Sequence, residues 1–211
     1  MPTVFGWSIW NSRHITQRKN RFCSRYGWAD GFFREPSLIS AFFTIPHAGF
    51  RYGIAERLDA GLRLAPIPLP FASVGPGFGV NLDVKYCFTP PQNIFTCAFV
   101  LGAGGAHVLL EEVSRYAYSP NGALLGTFRL KEGTHATVMA RYVYLAIPTA
   151  PKGSDANNVH ISGVSFGIRK VTKSGISILP EVGVYNYDGT LIGIDKSGPG
   201  LQYGLMIATS F

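Results

Sequence analysis

One stretch constrains the fold of this chain more than any other: "FGVNLDVKYCF", residues 78–88. Phe78, Val80, Leu82, Val84, Tyr86 and Phe88 fall on even positions; Gly79, Asn81, Asp83, Lys85 and Cys87 fall between them. Apolar residues at a strict period of two predict a β-strand with one greasy face. The two charges on the other face forbid a strand buried on both sides.

The pattern recurs. "FRYGI" sets Phe50, Tyr52 and Ile54 against Arg51 and Gly53, and "LDAGLRLAP" sets Leu58, Ala60, Leu62 and Leu64 against Asp59, Gly61 and Arg63. "VSFGIRK" and "ISILPEVGV" repeat it around Arg169 and Glu181, while "ATVMARYVYLAI" and "GALLGTFRL" are apolar on both sides of Arg141 and Arg129. A bulge or a half-filled interior accounts for those two. Tight turns are expected at 55–57, 89–93, 131–133 and 173–175, and longer links near 66–76, 110–121, 149–158 and 188–200. The strands expected between them are 41–54, 57–66, 77–88, 94–108, 114–130, 134–148, 158–171, 176–188 and 200–211. Alternating short and long connections describe an up-and-down meander with one trimmed rim and one decorated rim.

Composition agrees with an all-β chain. Charged residues make up 15%, against roughly 25% in an average soluble domain, while glycine (25 residues) and aromatics (13%) are abundant. The net charge is +7, and residues 1–38 carry six bases (Arg13, Arg18, Lys19, Arg21, Arg25, Arg34) against Asp30 and Glu35. No basic-and-aromatic nucleic-acid signature accompanies them, so no nucleic-acid partner is expected. Cys23, Cys87 and Cys97 have no metal-ligand spacing, and the strand parity sets Cys87 and Cys97 on opposite faces, against a disulfide.

The two faces decide the class. In a soluble barrel the apolar side points inward; in a membrane barrel it faces lipid and the polar side lines the bore. Here the apolar face carries aromatics near strand ends (Tyr52, Phe78, Tyr86, Phe88, Tyr203, Phe211), as membrane girdles do. The polar face is rich in glycine and poor in lysine and glutamate. The expectation is an antiparallel up-and-down transmembrane β-barrel. Arg51, Asp59, Arg63, Asp83, Lys85, Arg129, Arg141, Arg169 and Glu181 then form a charge network in its lumen. A soluble barrel binding an apolar ligand is the alternative. An even strand count requires one further strand within residues 1–38, with "TVFGWSIW" as its candidate. Ten strands come first and eight second. The expected division is a basic segment over 1–38 and a barrel over 39–211.

The hairpins "RYGIAERLDAGLRL" and "GFGVNLDVKY", within residues 50–88, resemble those of uncharacterised bacterial outer-membrane β-barrel proteins. The resemblance implies a bacterial outer-membrane location, a lipid-bilayer environment and lipopolysaccharide as a candidate contact. It also implies that Tyr203, Leu205, Ile207 and Phe211 form the carboxy-terminal signal read by the outer-membrane insertion machinery. Such proteins begin with an export signal, and "MPTVFGWSIWNSRHITQRKN" does not read as one. His160 and Ser162 resemble the His-x-Ser of outer-membrane lipid A deacylases, making a lipid hydrolase a further alternative. The next glutamate, Glu181, comes nineteen residues after Ser162 rather than about a dozen. No catalytic residue, metal or cofactor is assigned.

Overall fold

The computed structural model describes residues 22–32, 43–67, 77–90, 92–110, 113–148, 158–191 and 194–210. Ten strands follow in chain order: β1 (Phe22–Phe32), β2 (Phe43–Ala55), β3 (Leu58–Ile67), β4 (Gly77–Cys87), β5 (Phe95–Leu110), β6 (Val113–Lys131), β7 (Thr134–Ala146), β8 (Asn158–Val171), β9 (Ile176–Leu191) and β10 (Ile194–Ser210). Each pairs antiparallel with its sequence neighbour, and β1 pairs antiparallel with β10, so the sheet closes into a barrel. Closure removes the unpaired edges that an open sheet exposes. Strands of 10 to 19 residues exceed the roughly 9–11 that a tilted crossing of a bilayer requires.

The tight turns fall where glycine and proline chemistry puts them. Gly133 (φ 68°) and Gly175 (φ 83°) take the left-handed conformation that closes the β6–β7 and β8–β9 hairpins. At the β4–β5 turn, Cys97 N donates to Thr89 Oγ1 at 2.8 Å and Asn93 N to the Pro90 carbonyl at 3.2 Å.

Two expectations are corrected. The links at 110–121 and 188–200 are mostly strand: β5 and β6 stay paired out to Leu110↔Val113, and β9 and β10 out to Leu191↔Ile194. These are tall hairpins. The backbone ladder continues past the point where one face meets lipid, so the side-chain alternation that marks a strand fades first. At the front, "TVFGWSIW" lies outside the described residues, and the strand that joins β2 to β10 is Phe22–Phe32.

The surface is inverted relative to a soluble protein. On β4, Leu82 is 60% exposed while its neighbour Asp83 is 4% exposed. Val84, Tyr86 and Phe88 are exposed too, whereas Asn81, Lys85 and Cys87 are buried. The soluble alternative needed Leu82 and Val84 inside, and they are outside. Aromatic rings gather toward both ends of the exposed belt. Tyr86 packs on Phe88 and Phe95 on Phe128 toward the tight turns, while Tyr116, Tyr118, Tyr142 and Tyr144 lie toward the hairpin tips. That is the arrangement of interfacial girdles. Among the described residues no helix is long and apolar enough to cross a membrane.

Buried side chains of the described strands project into the bore. Cys87, Ala98, Leu125, Met139, Leu179 and Met206 belong to a buried apolar cluster. Met139 and Leu125 explain why their strands read as apolar on both sides. The interior is half apolar there.

Candidate functional site

The charged part of the bore is built by register. Arg51 on β2, Gly61 on β3 and Asp83 on β4 are direct cross-strand partners in one row. Arg51 Nη2 donates to Asp83 Oδ1 across the intervening strand, and Arg63 Nη2 donates to Asp83 Oδ2 at 2.6 Å. A Cβ on Gly61 would lie 2.8 Å from Arg51 Nη2 and 2.9 Å from Asp83 Oδ1. The glycine clears the lane that the ion pair crosses. The same device recurs one row away, where Asn121 Nδ2 on β6 donates to Asn81 Oδ1 on β4 at 2.9 Å. This bond runs diagonally over β5, where Gly104 is the partner of Asn81 and Gly102 that of Asn121; a Cβ would come 3.2 Å from Asn81 Oδ1 at Gly104 and 2.7 Å from Asn121 Oδ1 at Gly102. Nearer the tight turns, Lys85 Nζ sits 3.9 Å from Asp59 Oδ2.

On the opposite wall the device carries an aromatic ring instead of an acid. Arg141 on β7, Gly163 on β8 and Tyr185 on β9 form one row. The Arg141 guanidinium lies 4.8 Å from the centre of the Tyr185 ring, and its Nη2 reaches Gln202 Oε1 on β10 at 3.4 Å. Tyr185 is almost fully buried, its ring lying over Gly163 and Gly183.

Of the residues named from the sequence, Arg51, Asp59, Arg63, Asp83, Lys85, Arg141 and Arg169 are buried on the inner face, and Glu181 is half-buried there. Arg129 is exposed instead. It shares the inward side with its partner His135, but it stands at the tight-turn mouth beside the bulge between Arg129 and Lys131, where solvent reaches it. Its Nη2 donates to the Gln92 carbonyl of the β4–β5 turn at 3.0 Å. Without it the named residues on the inner side are five bases and three acids. The sequence reading missed Asn81, Asn121, Tyr185 and Gln202, although each has inward parity.

Outside, Tyr203, Leu205 and Ile207 lie on the lipid-side face of β10, and Phe211 lies outside the described residues. His160 and Ser162 are exposed on the outer wall, whereas Glu181 is on the inner side of the sheet, so these three do not meet. His160 Nδ1 is instead 2.6 Å from the Tyr142 hydroxyl. Cys87 faces inward and Cys97 outward, so the two do not pair with each other. Among the described residues no three His, Cys, Asp or Glu side chains gather as a metal site.

A closed antiparallel barrel with a greasy outside and a charged inside defines the class: the chain has the fold of outer-membrane β-barrel proteins. In fold it is similar to the translocator domain of the autotransporter NalP from Neisseria meningitidis. The TM-score there is 0.50, with 10% identity over 95% of this chain and 91% of that one. It is also similar to the COG4313 outer-membrane channel from Pseudomonas putida F1, with TM-score 0.51 and 10% identity over 90% of this chain and 94% of that one. A bacterial polysaccharide outer-membrane secretin matches with TM-score 0.50 and 9% identity, covering 80% of this chain and 56% of that one. No protein-family model matches the chain, and no curated protein sequence does.

Proposed function

We propose that the protein is an integral outer-membrane barrel with a plugged bore and no catalysis. Its role is structural, adhesive or envelope-related and is carried by the end bearing the tall hairpins. The observation that carries the plug is the Arg51–Asp83–Arg63 bridge, which spans three strands across the inner face and is buried. The buried apolar cluster around Met139 and Leu179 supports the same reading. Short turns then face the periplasm and the hairpin tips face outward, where lipopolysaccharide is a contact. The outward row Tyr203, Leu205 and Ile207 supports the reading of that strand, with Phe211, as the address for insertion.

A second reading is a narrow anion passage. It is favoured by the excess of bases over acids among the described inward residues and by Arg51 Nε and Nη1, which have no acceptor among the described residues. The Pseudomonas putida neighbour is itself a channel. Planar-bilayer recording decides between them. The plug predicts no steady conductance for the wild type or for Arg63→Ala, and anion-selective steps in the wild type would replace it with the passage. Folding into the bilayer is checked separately by the faster migration of unboiled protein in detergent gels.

A further inference from the structure

The outer wall of β5–β8 is not uniformly convex. A groove of about 750 Å³ runs along it, with Gly122 on β6 and Ala140 on β7 as its floor. Leu101, Leu124 and Val164 form apolar sides, and Tyr142, Tyr144 and Ser162 close the end toward the hairpin tips. Beyond that end the wall turns polar. The Tyr142 hydroxyl meets His160 Nδ1 at 2.6 Å, and the His160 ring packs 5.0 Å from Tyr144, which in turn packs on Tyr118. Asp188, exposed on β9, is the direct cross-strand partner of His160.

We infer that this groove binds one zwitterionic phospholipid, with an acyl chain on Gly122 and Ala140, the phosphate at His160 and the ammonium at Asp188. The inference rests on the membrane-barrel reading and adds a ligand to it. The sequence of surfaces is that of an amphiphile: an apolar trough, then a hydrogen-bonded polar pair at the depth of the aromatic girdle, where acyl chains give way to headgroups. In the tautomer where the Tyr142 hydroxyl donates to Nδ1, the imidazole proton sits on Nε2 and can be donated to a phosphate oxygen. The adjacent carboxylate complements an amine and repels a purely anionic head. Shape argues against a second copy, because the convex outside of another barrel meets a trough only at its edges.

Gly122 supplies the test. A Cβ there would lie 3.6 Å from Leu101 Cδ2 and from the Val100 carbonyl oxygen, ordinary contact, so Gly122→Leu fills the floor without disturbing the sheet. Purified barrel in detergent is mixed with phosphatidylethanolamine, phosphatidylglycerol or lipopolysaccharide, and retained lipid is counted by native mass spectrometry. The wild type retains one phosphatidylethanolamine. Gly122→Leu retains about tenfold less, the equivalent of roughly two unburied methylenes. Asp188→Asn loses phosphatidylethanolamine selectively and leaves phosphatidylglycerol binding as it was. Equal retention by wild type and Gly122→Leu overturns the inference, as does a preference for phosphatidylglycerol or lipopolysaccharide, or a wild-type dimer that Gly122→Leu dissolves. The gel shift separates the two proposals: a wild type without it refutes the membrane barrel, while a shifted protein that ignores phosphatidylethanolamine refutes only the lipid site.

Discussion

The two walls of the bore hold arginine by different means. On β2–β4, Arg51 and Arg63 share one acid, Asp83, in a buried cluster where every member depends on the others. On β7–β10, Arg141 rests on the face of Tyr185 and reaches a neutral amide, Gln202. The first arrangement is brittle, since deleting the acid leaves two buried cations facing each other. The second is more forgiving, because the Tyr185 ring and the Gln202 amide that Arg141 touches carry no charge. Both walls place a glycine between the interacting side chains, so the lanes are common to both and the chemistry in them differs.

The largest test of that contrast is Asp83→Ala. Breaking a buried pair by removing one partner costs about 3–5 kcal/mol, so urea unfolding of the detergent-folded barrel should show a loss in that range. An effect no larger than that of an exposed substitution would dissolve the contrast. Next comes Gly61→Ala, whose new methyl collides with both Arg51 and Asp83. Overpacking of that kind costs about 1–3 kcal/mol, measured in the same titration, and pairing it with Asp83→Ala should give less than the sum of the two. The smallest effect is expected for Arg141→Met, which gives up a cation–π contact of about 2 kcal/mol or less while keeping a side chain that fills the space. A loss from Arg141→Met equal to that from Asp83→Ala would show that the two walls bear charge alike.

The outline of the barrel was legible because lipid on one side and a crowded bore on the other force period two on any strand that crosses. β4 shows this best: Leu82 and Asp83 are adjacent in sequence and at opposite extremes of exposure. Legibility failed where one of those two constraints lapses. Arg129 has inward parity, but the mouth is open to water, so parity no longer implies burial. The upper parts of β5, β6, β9 and β10 keep their backbone pairing without a lipid face to impose alternation. β1, "FCSRYGWADGF", interleaves glycine, serine and aspartate and carries a weaker stripe than "TVFGWSIW". The partnership of Arg51 with Asp83 was invisible for a different reason. It crosses a third strand, and only the register of two separate hairpins brings the residues into one row.

That row has a consequence for how the barrel assembles. If β3 slid by two residues between its neighbours, the place held by Gly61 would go to Asp59 or to Arg63. Either side chain would then fill the lane through which Arg51 reaches Asp83, where even a Cβ would lie 2.8 Å from Arg51 Nη2 and 2.9 Å from Asp83 Oδ1. Hydrophobic matching alone would accept such a slip, because it returns every greasy residue to the bilayer. The missing side chain at Gly61 therefore works as a keyhole, admitting one alignment of three strands and turning the shifted ones away.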